Sequence, residues 1–249
     1  MATEVSKAQV DRLGERLRKG NISDDDLRLL DSYRRSFSEV YEFVAGAIRK
    51  ELALEPTGRP AKSTTSIADK LRRESIRLTQ IQDIAGCRLI VADIAEQDSV
   101  VESLKTLFEH TTVIDRREKP SHGYRAVHVV VKYGGKLIEV QVRTALQHLW
   151  AELSEKVSDV TTPAIKYGGG NEGIQKWLLE LSLTIAEEEL DEAELEKEQM
   201  RDNLTNDEKD EISKKQETLI SFRQELSETF VLSIEILEEL KGESDDISD

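Results

Sequence analysis

Apolar residues recur at helical intervals across roughly the first 55 positions. Leu27, Leu29, Leu30, Tyr33, Phe37, Val40, Tyr41, Val44 and Ile48 recur at helical spacing, and Ser23 followed by Asp24, Asp25 and Asp26 supplies an N-cap with first-turn acids. The stretch Glu55-Pro56-Thr57-Gly58-Arg59-Pro60 interrupts this pattern. From about residue 62 to 150 short strands alternate with helices, with Ser66–Leu78 reading as helical, Ile84–Val91 as extended and Glu96–His110 as helical. Two strands then flank Tyr133-Gly134-Gly135-Lys136, so this segment predicts a mixed α/β domain.

If Gly134-Gly135 is a two-residue turn, strand alternation places Val127, Val129, Val131, Ile138, Val140 and Val142 on one face of the hairpin. The opposite face then carries Tyr124, His128, Glu139, Gln141 and Arg143, a set as suited to binding as to simple solvation. Beyond the loop 166–171 the chain reads as two long helices, about 172–203 and 207–241, joined at Asn203-Leu204-Thr205-Asn206. Ile212, Leu219 and Leu226 are spaced by seven, which fits a seam for a homo-oligomer or a stripe lying on the chain's own domain. The expected organisation is therefore N-terminal helices over 1–55, a core over 56–166, a helical extension over 172–241 and a disordered tail over 242–249.

Composition narrows the class. Hydrophobic residues make up 38% and charged residues 34% of 249, too apolar for a wholly disordered chain. The single cysteine, Cys87, excludes an internal disulfide and, alone, a thiolate zinc site, and no run approaches the ~18 apolar residues of a membrane span. A soluble cytoplasmic protein without membrane partners is the expectation. The net charge of -15 is unevenly placed: residues 186–249 hold 23 acids against 7 bases, so the remainder is close to neutral and can hold basic patches for phosphates.

Candidate chemistry gathers in three places. Lys62 precedes Ser63, Thr64 and Thr65, any of which can cap a helix whose Ser66, Lys70, Arg73 and Arg77 share one face, while Ile67, Leu71 and Leu78 mark the other. A helix N-terminus with a hydroxyl and flanking cations suits a phosphate, although a basic helix face is also commonly solvated. Asp83 stands just before the strand over Ile84–Val91, where it can cap a turn, pair with Arg88, or join Glu139 from the hairpin in holding Mg²⁺ against substrate phosphates.

Four ordered blocks, Lys62–Arg73, Thr79–Arg88, Gly123–His128 and Glu139–Thr144, resemble the synthetase domain of RelA/SpoT-type alarmone synthetases, especially the small single-domain members. The resemblance implies an α+β fold, a mixed β-sheet nucleotidyltransferase-like domain with flanking helices. It further implies transfer of pyrophosphate from ATP to the 3′-hydroxyl of GDP or GTP, giving (p)ppGpp and AMP with Mg²⁺ as cofactor. By the same resemblance Lys62, Ser66, Lys70, Arg73 and Arg88 match ATP-side positions, Asp83 and Glu139 the magnesium and catalytic carboxylates, Tyr124 the aromatic that stacks on the acceptor base, and His128 and Gln141 acceptor positions. Arg143 shares their hairpin face. Two departures stand out. Pro60 occupies the place of an arginine, with Arg59 one step further off, and the loop Asp115–Tyr124 is one residue short, with Ser121 where a lysine usually follows the proline and Arg116, Arg117 and Lys119 available to compensate.

Two other readings stand beside this one: a toxic relative modifying adenosine nucleotides or the tRNA 3′ end, and a non-catalytic nucleotide-sensing or interaction domain. The C-terminal acids disfavour tRNA, and no histidine is followed by Asp, which disfavours an alarmone hydrolase. The helices over 172–241 are expected to serve self-association or autoregulation, and not the site itself.

Overall fold

The computed structural model describes residues 6–59 and 61–246, and for Arg59 and residues 242–246 the main chain only. Three helices come first: α1 (Lys7–Lys19), α2 (Asp24–Arg35) and α3 (Ser38–Leu52). Ser6 and Ser23 cap the first two, each accepting a bond from the third helical N–H while the side chain there reaches back. The remaining elements are β1 (Thr57–Arg59), α4 (Thr64–Arg73), β2 (Ala85–Val91), α5 (Ile94–Leu107), β3 (Thr111–Asp115), β4 (Val127–Tyr133), β5 (Lys136–Thr144), α6 (Ala145–Val160), α7 (Glu172–Gln199) and α8 (Asn206–Asp246). The fold is α+β with a mixed five-stranded sheet in the order β1-β2-β5-β4-β3, and β1 runs antiparallel to β2 with Gly58 opposite Cys87.

The chain divides into two compact units. The first comprises Met1–Leu89, Val100–Ile114 and His128–Val142. Its core is the valine face of the hairpin (Val129, Val131, Ile138 and Val140, all at most 1% exposed) together with Ile67, Leu71, Leu78, Ile84 and Leu89. The hairpin turns through Gly134 and Gly135, both at positive φ, as a two-residue turn matched to the strand twist requires. α1 packs on α4 and on the turn at Leu78–Gln80. Arg18 Nε donates to the Leu71 carbonyl at 2.8 Å, and the Asp11 carboxylate accepts from Thr79 N (3.2 Å) and Oγ1 (2.7 Å). These bonds hold both ends of the segment that leads to Asp83. Cys87 is buried, and burial pushes its thiol up to about 12, the state of an inert core cysteine.

The second unit comprises Ile90–Ser99, Asp115–Val127 and Arg143–Asp249. Leu146, Trp150, Leu153 and Val157 of α6 pack with Leu178 and Ile185 of α7 and Leu226 and Phe230 of α8. Leu226 of the seven-residue stripe thus lies in this core, and α8 as a whole packs on α6 and α7. α8 continues to Asp246, past residue 241 where a disordered tail was expected to begin; residues 247–249 lie outside the described residues. Among the described residues no helix is long and apolar enough to cross a membrane.

Candidate active site

Asp83 is gripped from two sides. Lys62 Nζ lies 2.5 Å from its Oδ2 and Lys70 Nζ 2.9 Å from its Oδ1, with all three side chains only about a fifth exposed or less. Ser63 caps α4 by accepting from Ser66 N at 3.1 Å, and its hydroxyl donates to Ser66 Oγ at 2.7 Å. Lys62 precedes that cap and its N–H bonds the Ile84 carbonyl, while Lys70 projects from the same helix. Burial pushes the Asp83 carboxyl up, yet the two ammonium charges outweigh it and hold the group below the usual carboxylate range. Asp83 pairs with these two lysines.

Glu139 lies on β5, 7% exposed. Gln141 Nε2 donates to its Oε1 at 2.6 Å, and His128 Nδ1 on β4 is 3.5 Å from Oε2. Burial again acts upward and the Asp83 charge adds to it, but His128 and Gln141 prevail and the carboxyl sits below its ordinary value. Gly86 explains how β2 comes close here: a Cβ at that position would stand 2.6 Å from the Glu139 carbonyl oxygen. The donors near Asp83 and Glu139 are hard carboxylate oxygens suited to Mg²⁺, which is commonly held by one or two carboxylates plus substrate phosphates. No cage of three or more His, Cys, Asp or Glu side chains exists among the described residues, so phosphate oxygens and water would complete such a site.

Several sequence expectations change. The helix bearing Ser66 and Lys70 ends at Arg73, so Arg77 lies outside it, and Arg73 is exposed beside Glu74 at 3.2 Å. Arg88 is half-buried on β2, and the Arg59 side chain is not among those described. Tyr124 does not start a strand: β4 begins at Val127, and Tyr124 sits in a turn bridged to Ser121. Arg143, expected to face the acceptor, is 6% exposed and donates from Nη2 to the Tyr124 hydroxyl at 2.9 Å, its guanidinium 5.0 Å from the ring centre. Arg143 thus fixes the ring of Tyr124.

Arg117 is turned inward instead of compensating for the short loop. Its guanidinium meets Asp115 (2.6 Å), Asp98 (2.8 Å) and Gln97 Oε1 (3.1 Å). Burial alone would lower its pKa, but these carboxylates raise it. From Gln97 the bonds continue to Gln147 on α6 (2.9 Å) and then to Glu189 on α7 (3.0 Å), whose carboxylate also accepts from Thr144 Oγ1 at 2.5 Å. Glu189 was not singled out from sequence. The signal was there, because Glu189 and Ser182 fall on the same side of α7 as Leu178 and Ile185, polar residues interrupting a buried stripe.

Residues 58–158 match the family model described as the region found in RelA / SpoT proteins. An uncharacterised protein of Mycobacterium tuberculosis is 35% identical over 134 residues, covering 52% of this chain and 49% of its own length. A GTP pyrophosphokinase of Haemophilus influenzae is 32% identical over 115 residues, 44% of this chain and 15% of that protein. The chain thus spans about half or less of the length of these relatives. Among solved structures, small alarmone synthetase 1 from Bacillus subtilis is 28% identical with a TM-score of 0.51, covering 71% of this chain and 98% of its own. The same protein bound to its product pppGpp aligns with a TM-score of 0.53 at 23% identity, over 72% of this chain and 100% of that one. The fold is that of the small alarmone synthetases, to which the chain is similar over 71% of its length. The likeness to RelA / SpoT proteins is carried by residues 58–158, which hold Lys62, Lys70, Asp83 and Glu139.

Proposed function

We propose that the protein transfers the β,γ-pyrophosphate of ATP to the ribose 3′-hydroxyl of GDP or GTP, releasing AMP and forming (p)ppGpp. The observation that carries this reading is the Lys62–Asp83–Lys70 cluster, whose carboxylate is electrostatically coupled to the buried Glu139. Pyrophosphoryl transfer asks a protein for positioning and charge neutralisation more than for covalent chemistry. Lys62 and Lys70, with Ser66 at the first turn of α4, present cations and a hydroxyl of the kind that holds a triphosphate.

In the reaction the 3′-oxygen attacks the β-phosphorus, the bond from that phosphorus to the α,β-bridging oxygen breaks, and this oxygen leaves on AMP. Glu139 is held in its ionised form and so accepts the hydrogen bond, then the proton, of the 3′-hydroxyl. Gln141 fixes one oxygen of that carboxylate and His128 faces the other. Asp83 and Glu139 would hold Mg²⁺, which would supply neutralisation of phosphate charge. Tyr124, its ring braced by Arg143, serves as the stacking surface for the acceptor base. The name of the Haemophilus relative supports a guanosine acceptor.

The test is incubation of the purified chain with [β-³²P]ATP, Mg²⁺ and, separately, GDP, GTP, ADP and tRNA. Label on the guanosine nucleotides with stoichiometric AMP is expected. Label on ADP or tRNA alone would overturn the acceptor, and no transfer to any of them would overturn the reaction.

A further inference from the structure

We infer that α7 sets the geometry of the acceptor-binding loop, with Ser182 and Arg125 as positioning residues, an inference that rests on the proposed acceptor role of Tyr124. Ser182 is 1% exposed and its hydroxyl donates to the Gly123 carbonyl at 2.5 Å. The same oxygen accepts from Arg125 Nε at 3.1 Å, and Arg125 Nη1 donates to the Arg117 carbonyl at 2.8 Å. One serine on a helix nearly sixty residues downstream therefore ties down the residues on both sides of Tyr124.

The placement is specific. A serine inside a helix ordinarily returns its hydroxyl to its own backbone or to water, whereas this one serves as donor and acceptor to a loop. Trp150 lies under the same loop, its ring 2.7 Å from where a Cβ on Gly123 would fall and its Nε1 donating to the Leu178 carbonyl at 2.8 Å, one turn before Ser182. Seven residues further along α7, Glu189 holds Thr144, the neighbour of the arginine that braces Tyr124. Ser182 and Glu189 thus secure the loop and the Arg143 segment from one face of one helix. The loop is a residue shorter than its relatives' by resemblance, and Ser182 adds to the holds that Arg117 on Asp98 and the Ser121–Tyr124 bridge already place on it.

The consequence concerns the acceptor and not ATP. Ser182→Ala removes two hydrogen bonds from the loop while the helix and its apolar packing remain. A loop freed to sample other conformations raises the acceptor KM by about tenfold, because only part of its population then presents Tyr124 correctly. KM for ATP changes little, while the melting temperature falls by a few degrees because two buried groups lose their partner. Arg125→Ala gives the same split, and the double variant falls short of the product of the two single effects, since both remove the Ser182–Arg125 bond. Hydrogen exchange at residues 116–125 rises in Ser182→Ala, a readout independent of turnover. An active wild type whose Ser182→Ala variant keeps its acceptor KM, or raises both KM values equally, overturns this inference alone. A wild type that transfers to no acceptor overturns the proposed function and this inference with it.

Discussion

Replacing Glu139 by glutamine separates the chemistry of this site from its stability. The side chain is 10% exposed, accepts from Gln141 at 2.6 Å and faces His128 at 3.5 Å, and the amide has nearly the same volume, so no cavity opens. Burial favours the neutral form, but His128 and Gln141 together favour the charged one, so the substitution is destabilising in sign. Its size is that of a charge-assisted bond of ~1.5–3 kcal/mol becoming a neutral one of ~0.5–1.5, a loss of about 1 kcal/mol. For a chain of this length that corresponds to roughly 2–4 °C in Tm. Removing a group that accepts a proton in the reaction costs ~10²–10⁴-fold in rate, or about 3–5 kcal/mol of barrier. The rate penalty therefore exceeds the stability penalty severalfold. Label transfer from [β-³²P]ATP to GDP at saturating substrates, alongside a thermal melt, measures both. Retention of more than about a tenth of wild-type turnover refutes the role of Glu139, and a Tm collapse that accounts for the lost activity refutes the claim that the site tolerates the change.

Asp83→Asn leaves Lys62 and Lys70 facing an amide, and transfer is expected to fall by about 10²-fold with unchanged far-UV circular dichroism; near-normal turnover would sink the assignment. Gly86→Ala forces a methyl to within 2.6 Å of the Glu139 carbonyl, and a loss of at least ~2 kcal/mol in urea unfolding is expected. Arg223 bonds both Glu188 and Glu192, and although burial alone would lower its pKa, those carboxylates raise it; Glu188, 1% exposed in its side chain, is still pushed up by burial. Arg223→Met leaves that carboxyl uncompensated and should lower stability by about 2–3 kcal/mol at neutral pH and by less at pH 4.5, where the acids can protonate. Burial raises the Glu189 carboxyl above its unfolded value, despite Thr144 and Gln147. Folding then takes up a proton, so this contribution is full below the unfolded value and is lost as pH rises through the folded one. Glu189→Gln should flatten that decline in urea midpoints between pH 4.5 and 7.5, and an unchanged slope would count against it.

How far the sequence reached follows from what each signal depends on. The hairpin was legible because its valines alternate over strictly local positions and the two glycines mark the turn. β1 was missed because it is three residues beside a proline, and β3 because Thr111–Asp115 is half exposed and has no alternation to read. α6 escaped notice for another reason: Thr144 ends β5 and caps α6 at once, leaving no glycine or proline between strand and helix. Among the candidate residues, Lys62, Lys70, Asp83 and Glu139 were named from pattern and resemblance, yet the pairing of both lysines with Asp83 depends on α4 lying beside the start of β2, a long-range fact. The inward turn of Arg117 had no local signal, because a cation in a polar loop reads as solvated. The α8 stripe left two partners open: Leu226 packs in the core with α6 and α7, while Ile220, Leu232 and Ile236 of the same helix stay exposed.

The double grip on Asp83 also bears on how such a domain can change over generations. Losing the acid alone leaves two ammonium groups crowded together with little water, and losing either lysine alone leaves an anion half compensated. Single replacements at 62, 70 or 83 are therefore poor intermediates even where transfer activity is no longer selected. A descendant that abandons the reaction should shed the three as a set, exchanging them for neutral side chains, whereas one that keeps the reaction should keep all three. Positions 62, 70 and 83 then form a single inherited character, and a relative's state at any one of them foretells the other two.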